Sequence, residues 1–264
     1  MVKPRRSPAA GSARARLAAL RRQKAERARR RKTLVRTGVA ATTLATVVAV
    51  TIAVQSYKEG DDRPVVVPQG AAGPQGLVIP TGKDDAPVTL AVYEDFRCPG
   101  CGQVEDRLGP TINELQDEGK LRVEYHVLSL VDNIVPGKGS LRAASAAAAA
   151  QEAGKFREYH DVLFDNQPEE TDDAFGNKDL LLTLADGIDG LNTPEFAERV
   201  RAGTHDTWAK KVQQSFDRQT AIQGTPAMFL DGGKTDLLKD PQHPLTAERL
   251  TQLVDTAAQA KTGR

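Results

Sequence analysis

The 264-residue sequence predicts an α/β domain that carries an inserted helical subdomain and is preceded by a single transmembrane helix. Three observations predict it. Residues 87–130 run strand, helix, strand, the order of a parallel βαβ unit. Residues 140–222 hold no strand-like run, and a strand and a helix follow them. Before all of this, 21 consecutive uncharged residues, 37–57, stand behind a basic tail. With 39% hydrophobic and 27% charged residues, the chain can bury one core of up to about 200 residues, which leaves no room for a second large domain.

Residues 1–36 carry 14 of the 36 Lys and Arg and one acid, Glu26. The remaining 22 basic and 34 acidic residues give a formal −12. The tail alone is compatible with a solvated charge run or a nucleic-acid contact. The segment behind it, TGVAATTLATVVAVTIAVQSY, explains it better. As a helix it reaches about 31 Å, enough to cross a hydrocarbon core. The charge bias places the N-terminus in the cytoplasm and everything from residue 58 outside. A cleaved signal peptide is the alternative, but the apolar stretch is longer than the usual ~7–15 residues and no A-x-A site ends it. An uncleaved signal-anchor of the cell membrane is expected. No Cys near the N-terminus supports a lipoprotein.

Residues 58–75 read as a linker punctuated by Pro and Gly, and the folded domain is expected over 76–264. Gly76–Pro80 suits an edge strand closed by Pro80. Pro87–Phe96 is rich in β-branched and aromatic residues and reads as a central strand. After it, Val104, Leu108, Ile112 and Leu115 recur at helical spacing, with Pro110 expected to kink or interrupt the helix. Leu121–Leu130 is the next strand, and the sheet is expected to be mostly parallel. Ser140–Asn166, Lys178–Asp186, Pro194–Arg201 and His205–Ile222 form the helical insertion. Ala227–Asp231 then reads as a strand, Gly232–Gly233 as its hairpin turn and Thr246–Lys261 as a final helix.

The only two cysteines, Cys98 and Cys101, enclose Pro99 and Gly100 where the central strand meets a helix. A bridge at this spacing closes almost no loop and adds little stability; the spacing suits exchange. A Cys at a helix start meets unpaired N–H groups and the positive end of the dipole, which favour thiolate. Cys98 is the expected nucleophile, and Cys101, one turn inward, the resolving thiol of a redox-active disulfide. Zinc needs further ligands, and His126, His160, His205 and His243 are scattered without ligand spacing. Each is expected as an ordinary core or surface residue, and neither metal nor cofactor is expected. Downstream, Gly224-Thr225-Pro226 precedes a strand, where Pro is tolerated.

The run APVTLAVYEDFRCPGC, the helical block and GTPAMFL together resemble the DsbA-like branch of the thioredoxin superfamily over about residues 76–260. The resemblance implies a thioredoxin fold in which Thr225-Pro226 forms a cis-proline loop that lies against the redox pair and presents backbone to an extended substrate. It also implies an extracytoplasmic oxidant of exported client proteins, reoxidised by a membrane quinone-linked partner. Two departures stand out. Pro99-Gly100 lacks the histidine of the best-known oxidants, and Val92 occupies the position, six before Cys98, where some relatives carry a buried acid. Glu94 and Asp95 are nearer, and surface charge is the expected reading of both.

The expected function is a thiol:disulfide oxidoreductase that introduces disulfides into exported proteins. A reductase or isomerase of the same fold, and a non-catalytic tethered peptide-binding module, are the alternatives. A reductase requires electrons carried across the membrane, which one cysteine-free span cannot supply alone. An isomerase gains from a second binding or dimerisation module, for which the linker has no room.

Overall fold

The computed structural model describes residues 63–233, 236–240 and 242–262. The basic tail, the expected transmembrane segment and the start of the linker lie outside the described residues. Among the described residues no helix is long and apolar enough to cross a membrane.

Among the described residues the sheet has four strands, β1 (Ile79–Thr81), β2 (Val88–Glu94), β3 (Leu121–Val127) and β4 (Ala227–Leu230), in the order β1-β3-β2-β4. Only β2 and β3 pair in parallel; β1 joins β3, and β4 joins β2, antiparallel. The expected mostly parallel sheet is therefore a mixed one, because both strands outside the βαβ unit run against it. Pro80 sits inside β1 opposite Glu124 and does not close the strand. An edge position tolerates the missing N–H.

Helix α1 (Pro99–Asp117) follows β2 and returns the chain to β3. It runs through Pro110 without interruption. Pro110 is exposed, on the outer side of the helix, where the loss of one helical N–H is tolerated better than in the core. The insertion comprises α2 (Gly139–Glu152), α3 (Phe156–Asp165), α4 (Lys178–Ala185), α5 (Pro194–Ala202) and α6 (Asp206–Asp217), and α7 (Ala247–Thr262) ends the domain. The expected Ser140–Asn166 helix is two helices, divided at Gly154, whose φ of +68° suits a residue without Cβ. In α2, Ala143, Ala144 and Ala146–Ala150 are all buried, and the small side chains let α3, α5 and α6 pack closely around them.

Period-2 burial divides the sheet into two faces. Leu90, Val92 and Glu94 of β2, with Val123 and Tyr125 of β3, lie on one, where the Tyr125 ring packs tilted against those of Phe156 and His160 of α3, with centroids 5.2 and 4.8 Å apart. On the other, Tyr93 stacks on His126 at 4.1 Å and meets Phe216 of α6. The expected hairpin at Gly232–Gly233 is not formed by a strand among the described residues. The chain enters a 3-10 turn, Leu237–Lys239, and Asp236 accepts from the Met228 and Leu238 N–H groups. Residues 63–76 lie along the insertion: Trp208 donates to the Gly76 carbonyl at 2.7 Å, and Thr207 donates to that of Pro64 at 3.0 Å.

Candidate redox site

Cys98 is the N-cap of α1 and Pro99 its first helical residue, a position where a fixed φ and a missing N–H are both tolerated. The Cys98 carbonyl accepts from the N–H groups of Cys101 (2.9 Å) and Gly102 (3.2 Å), so the four-residue motif is the first turn of the helix. Both cysteines are free thiols and buried, Cys98 at 9% exposure and Cys101 at 1%.

The Thr225–Pro226 peptide is cis. Cys98 Sγ lies 3.6 Å from the Thr225 carbonyl oxygen. A Cβ on Gly100 would stand 3.0 Å from Pro226 Cδ and 3.7 Å from Cys98 Sγ. The proline ring thus rests on the dipeptide between the cysteines, and a residue with no side chain fits there. Cys98, Pro99, Gly100, Cys101, Thr225 and Pro226 are all brought to one place across 127 residues of sequence.

The two thiols differ in acidity. Cys98 is lowered to about 6, chiefly by the hydrogen bond from the Cys101 thiol; burial opposes this, and Thr225 and the N–H groups of Cys101 and Gly100 assist it. Cys101 is held well above the ordinary thiol range by its own burial, by donating to Cys98 and by the charges of Cys98 and Glu94. The surroundings therefore favour thiolate at Cys98 and the protonated thiol at Cys101.

The expectation that Glu94 and Asp95 are surface charges is corrected: they are 1% and 0% exposed. Glu94 projects from the face of β2 that also carries Val92, two residues nearer the cysteines than the position where the acid was missed. Its Oε1 is 2.9 Å from His160 Nε2, and His160 Nδ1 is 3.2 Å from Asp161. Burial disfavours a charged imidazole, but the Glu94 charge and the hydrogen bonds to Asp161 and Glu94 outweigh it, so His160 is raised well above its ordinary value. Glu105 of α1, one turn beyond Cys101, is raised to about 7 by burial and by neighbouring acids, with His160 opposing. Donor atoms of Glu94, Glu105 and His160 lie within 4.8 Å of one another. With His160 Nε2 already engaged by Glu94, the cluster is a buried ion pair with an adjacent protonatable carboxyl. Asp95 accepts from the N–H groups of Arg97 (2.8 Å) and Val131 (2.9 Å) and fixes the chain entering the motif.

Sequence reasoning also passed over Arg97 and Gln167. Arg97, fully buried, pairs with Asp132 at 2.7 Å and Asp173 at 3.2 Å and donates to the Glu170 carbonyl. Gln167, just past the end of α3, donates through Nε2 to the Phe96 carbonyl at 2.9 Å and to that of Cys98 at 3.0 Å.

A βαβ sheet ending in a Cys-x-x-Cys helix, with a cis-proline loop against it, defines the thioredoxin class. The family model described as Thioredoxin matches residues 75–256, and the chain belongs to that family. Among its relatives, disulfide bond formation protein D of Bacillus subtilis is 29% identical over 155 residues, which are 57% of this chain and 66% of that protein. A Na(+)/H(+) antiporter NhaA 3 of Salinispora tropica is 36% identical over 156 residues, but these are 21% of its length. The chain thus covers less than two thirds of either. Mycobacterium tuberculosis DsbA in its oxidised form superposes with a TM-score of 0.58 at 24% identity, over 69% of this chain and 92% of that one. Oxidised Bacillus subtilis BdbD gives 0.57 at 21%, over 75% and 100%. Both solved structures share the thioredoxin fold with this chain.

Proposed function

We propose that the chain is a membrane-anchored, extracytoplasmic thiol:disulfide oxidoreductase that introduces disulfides into exported proteins through Cys98 and Cys101. The observation that carries this reading is the pair of thiols of opposite character at one helix start, with Cys98 Sγ directed at the Thr225–Pro226 loop. The name of the Bacillus relative, a disulfide bond formation protein, supports the same direction.

In the oxidised form a client thiolate attacks Cys98 Sγ, the Cys98–Cys101 bond breaks, and Cys101 leaves and takes a proton. A second client thiolate attacks the client sulfur of the mixed disulfide and releases Cys98 as thiolate. Two electrons pass from client to enzyme, and the client gains one S–S bond. Stabilising the Cys98 thiolate stabilises the reduced form and so makes the disulfide more oxidising; a thiol lowered to about 6 does this without the absent histidine. The Cys101 proton has a local source in the Glu94–His160–Glu105 cluster. A cavity of about 280 Å³ lined by Glu105, Asp161 and Asp165 reaches the cluster at Glu105. Reoxidation falls to a membrane quinone-linked partner, as the family resemblance implies, and the basic tail and apolar segment keep the domain at the outer face of the membrane.

Trapping tests the proposal. Cys101→Ser is expected to accumulate mixed disulfides with exported proteins through Cys98, and Cys98→Ser/Cys101→Ser none. If Cys101→Ser forms none in vivo or with reduced client protein, the enzyme reading fails and the peptide-binding module takes its place.

A further inference from the structure

Just past the end of α3, the Gln167 side chain touches the redox motif. Gln167 is held by its own N–H, which donates to the Phe164 carbonyl at 3.0 Å, and Pro168 follows it. Its Nε2 faces two carbonyl oxygens, those of Phe96 and Cys98, at 2.9 and 3.0 Å. Two acceptors require both amide hydrogens, which fixes the orientation of the amide. Its Oε1 is then directed at Gly102, where an added Cβ would overlap it. Seven residues earlier on the same segment, His160 holds Glu94. The insertion therefore grips the β2–α1 junction at Glu94, Phe96 and Cys98 in turn.

We propose that Gln167 is a positioning residue for the redox pair: by tying the Phe96 and Cys98 carbonyls to the insertion it fixes the turn in which Cys98 Sγ faces Thr225 and is open to exchange. The inference rests on the oxidoreductase reading and adds a role for the insertion to it. The Cys98 carbonyl already accepts from two helical N–H groups. A third donor, from the Gln167 side chain, orients it and with it the turn that carries Sγ. Gly102 is the matching requirement on α1, since only a residue without Cβ leaves room for the amide.

The test compares Gln167→Ala, Gln167→Glu and Gly102→Ala with the native full chain, by titrating Cys98 against pH and by equilibrating the pair with glutathione. Glutamate keeps the length of Gln167 but a carboxylate cannot donate, and an alanine at 102 displaces the amide while leaving Gln167 in the chain. Each variant is expected to raise the Cys98 pKa by about one unit, about a tenfold loss of thiolate well below pH 6 and about a twofold loss at pH 7, and to leave more of the pair as disulfide at a given glutathione ratio. Gln167→Ala/Gly102→Ala is expected to match Gln167→Ala alone, because both changes remove one contact. Variants that titrate like the native chain and only melt earlier, or a double variant whose shift is the sum of the two, would overturn the proposal. The titration reads Cys98 whether or not clients are oxidised, so a chain that forms no mixed disulfide but shows these shifts separates failure of the function from failure of the positioning role.

Discussion

At the scale of single residues the site depends on charges held out of water by specific partners. Cys98, lowered to about 6, is expected to react with iodoacetamide at a rate that rises through that pH and levels off near neutrality, with Cys101 unreactive throughout. A rate still climbing above pH 8 contradicts it. The same shift links redox state to stability. A thiol with a depressed folded pKa adds stability that is complete above the unfolded value of about 8.5 and is lost as pH falls through the folded one. The disulfide has no such group. The stability of the reduced form relative to the oxidised form is thus expected to rise between about pH 6 and pH 8.5, and denaturant unfolding of both forms across that window checks it. Arg97 tests the structural side. Arg97→Met removes the guanidinium between Asp132 and Asp173, which keep backbone N–H donors, and is expected to cost about 1–3 kcal/mol; a loss under about 0.5 kcal/mol means that water replaces the guanidinium.

At the scale of elements, α2 is packed through alanines, and Ala148, with no exposed surface, has no room for a larger side chain. Ala148→Leu is expected to destabilise the domain by about 1–3 kcal/mol while leaving the Cys98 titration unchanged; a shifted titration shows that α2 packing reaches the redox pair. What was legible in the sequence follows from the same distinction between local and distant causes. The strand-to-helix run around Cys98 and the final helix are written in local periodicity, and their positions match the structure within a few residues; the start of the alanine-rich helix matches too, but its expected length runs across the break at Gly154. Glu94 misled because a carboxylate on a strand is ordinarily exposed, and its partner His160 is 66 residues away. Gln167 gave no signal, since its meaning lies in two backbone carbonyls about 70 residues earlier. Pro110 and Gly232–Gly233 carried correct local preferences that their settings overrode: one lies on an outer helix face, and the chain after the other is held by Asp236 in a 3-10 turn.

At the scale of the whole molecule, the thioredoxin sheet supplies the helix start and the proline loop, and the insertion supplies His160 and Gln167 from the side. Topology is expected to place this domain outside the membrane, so that protease added to intact spheroplasts digests residues 58–264; protection of that region contradicts the anchor orientation. The direction of exchange is the claim on which the functional account turns. Its most direct measurement is to mix the purified, oxidised full chain with a reduced, unfolded protein substrate and count thiols on both sides over time. The expected result is loss of two substrate thiols for each Cys98–Cys101 pair reduced, with the exchange abolished in Cys98→Ser. A chain that reduces insulin readily under the same conditions but leaves the substrate thiols intact contradicts the account.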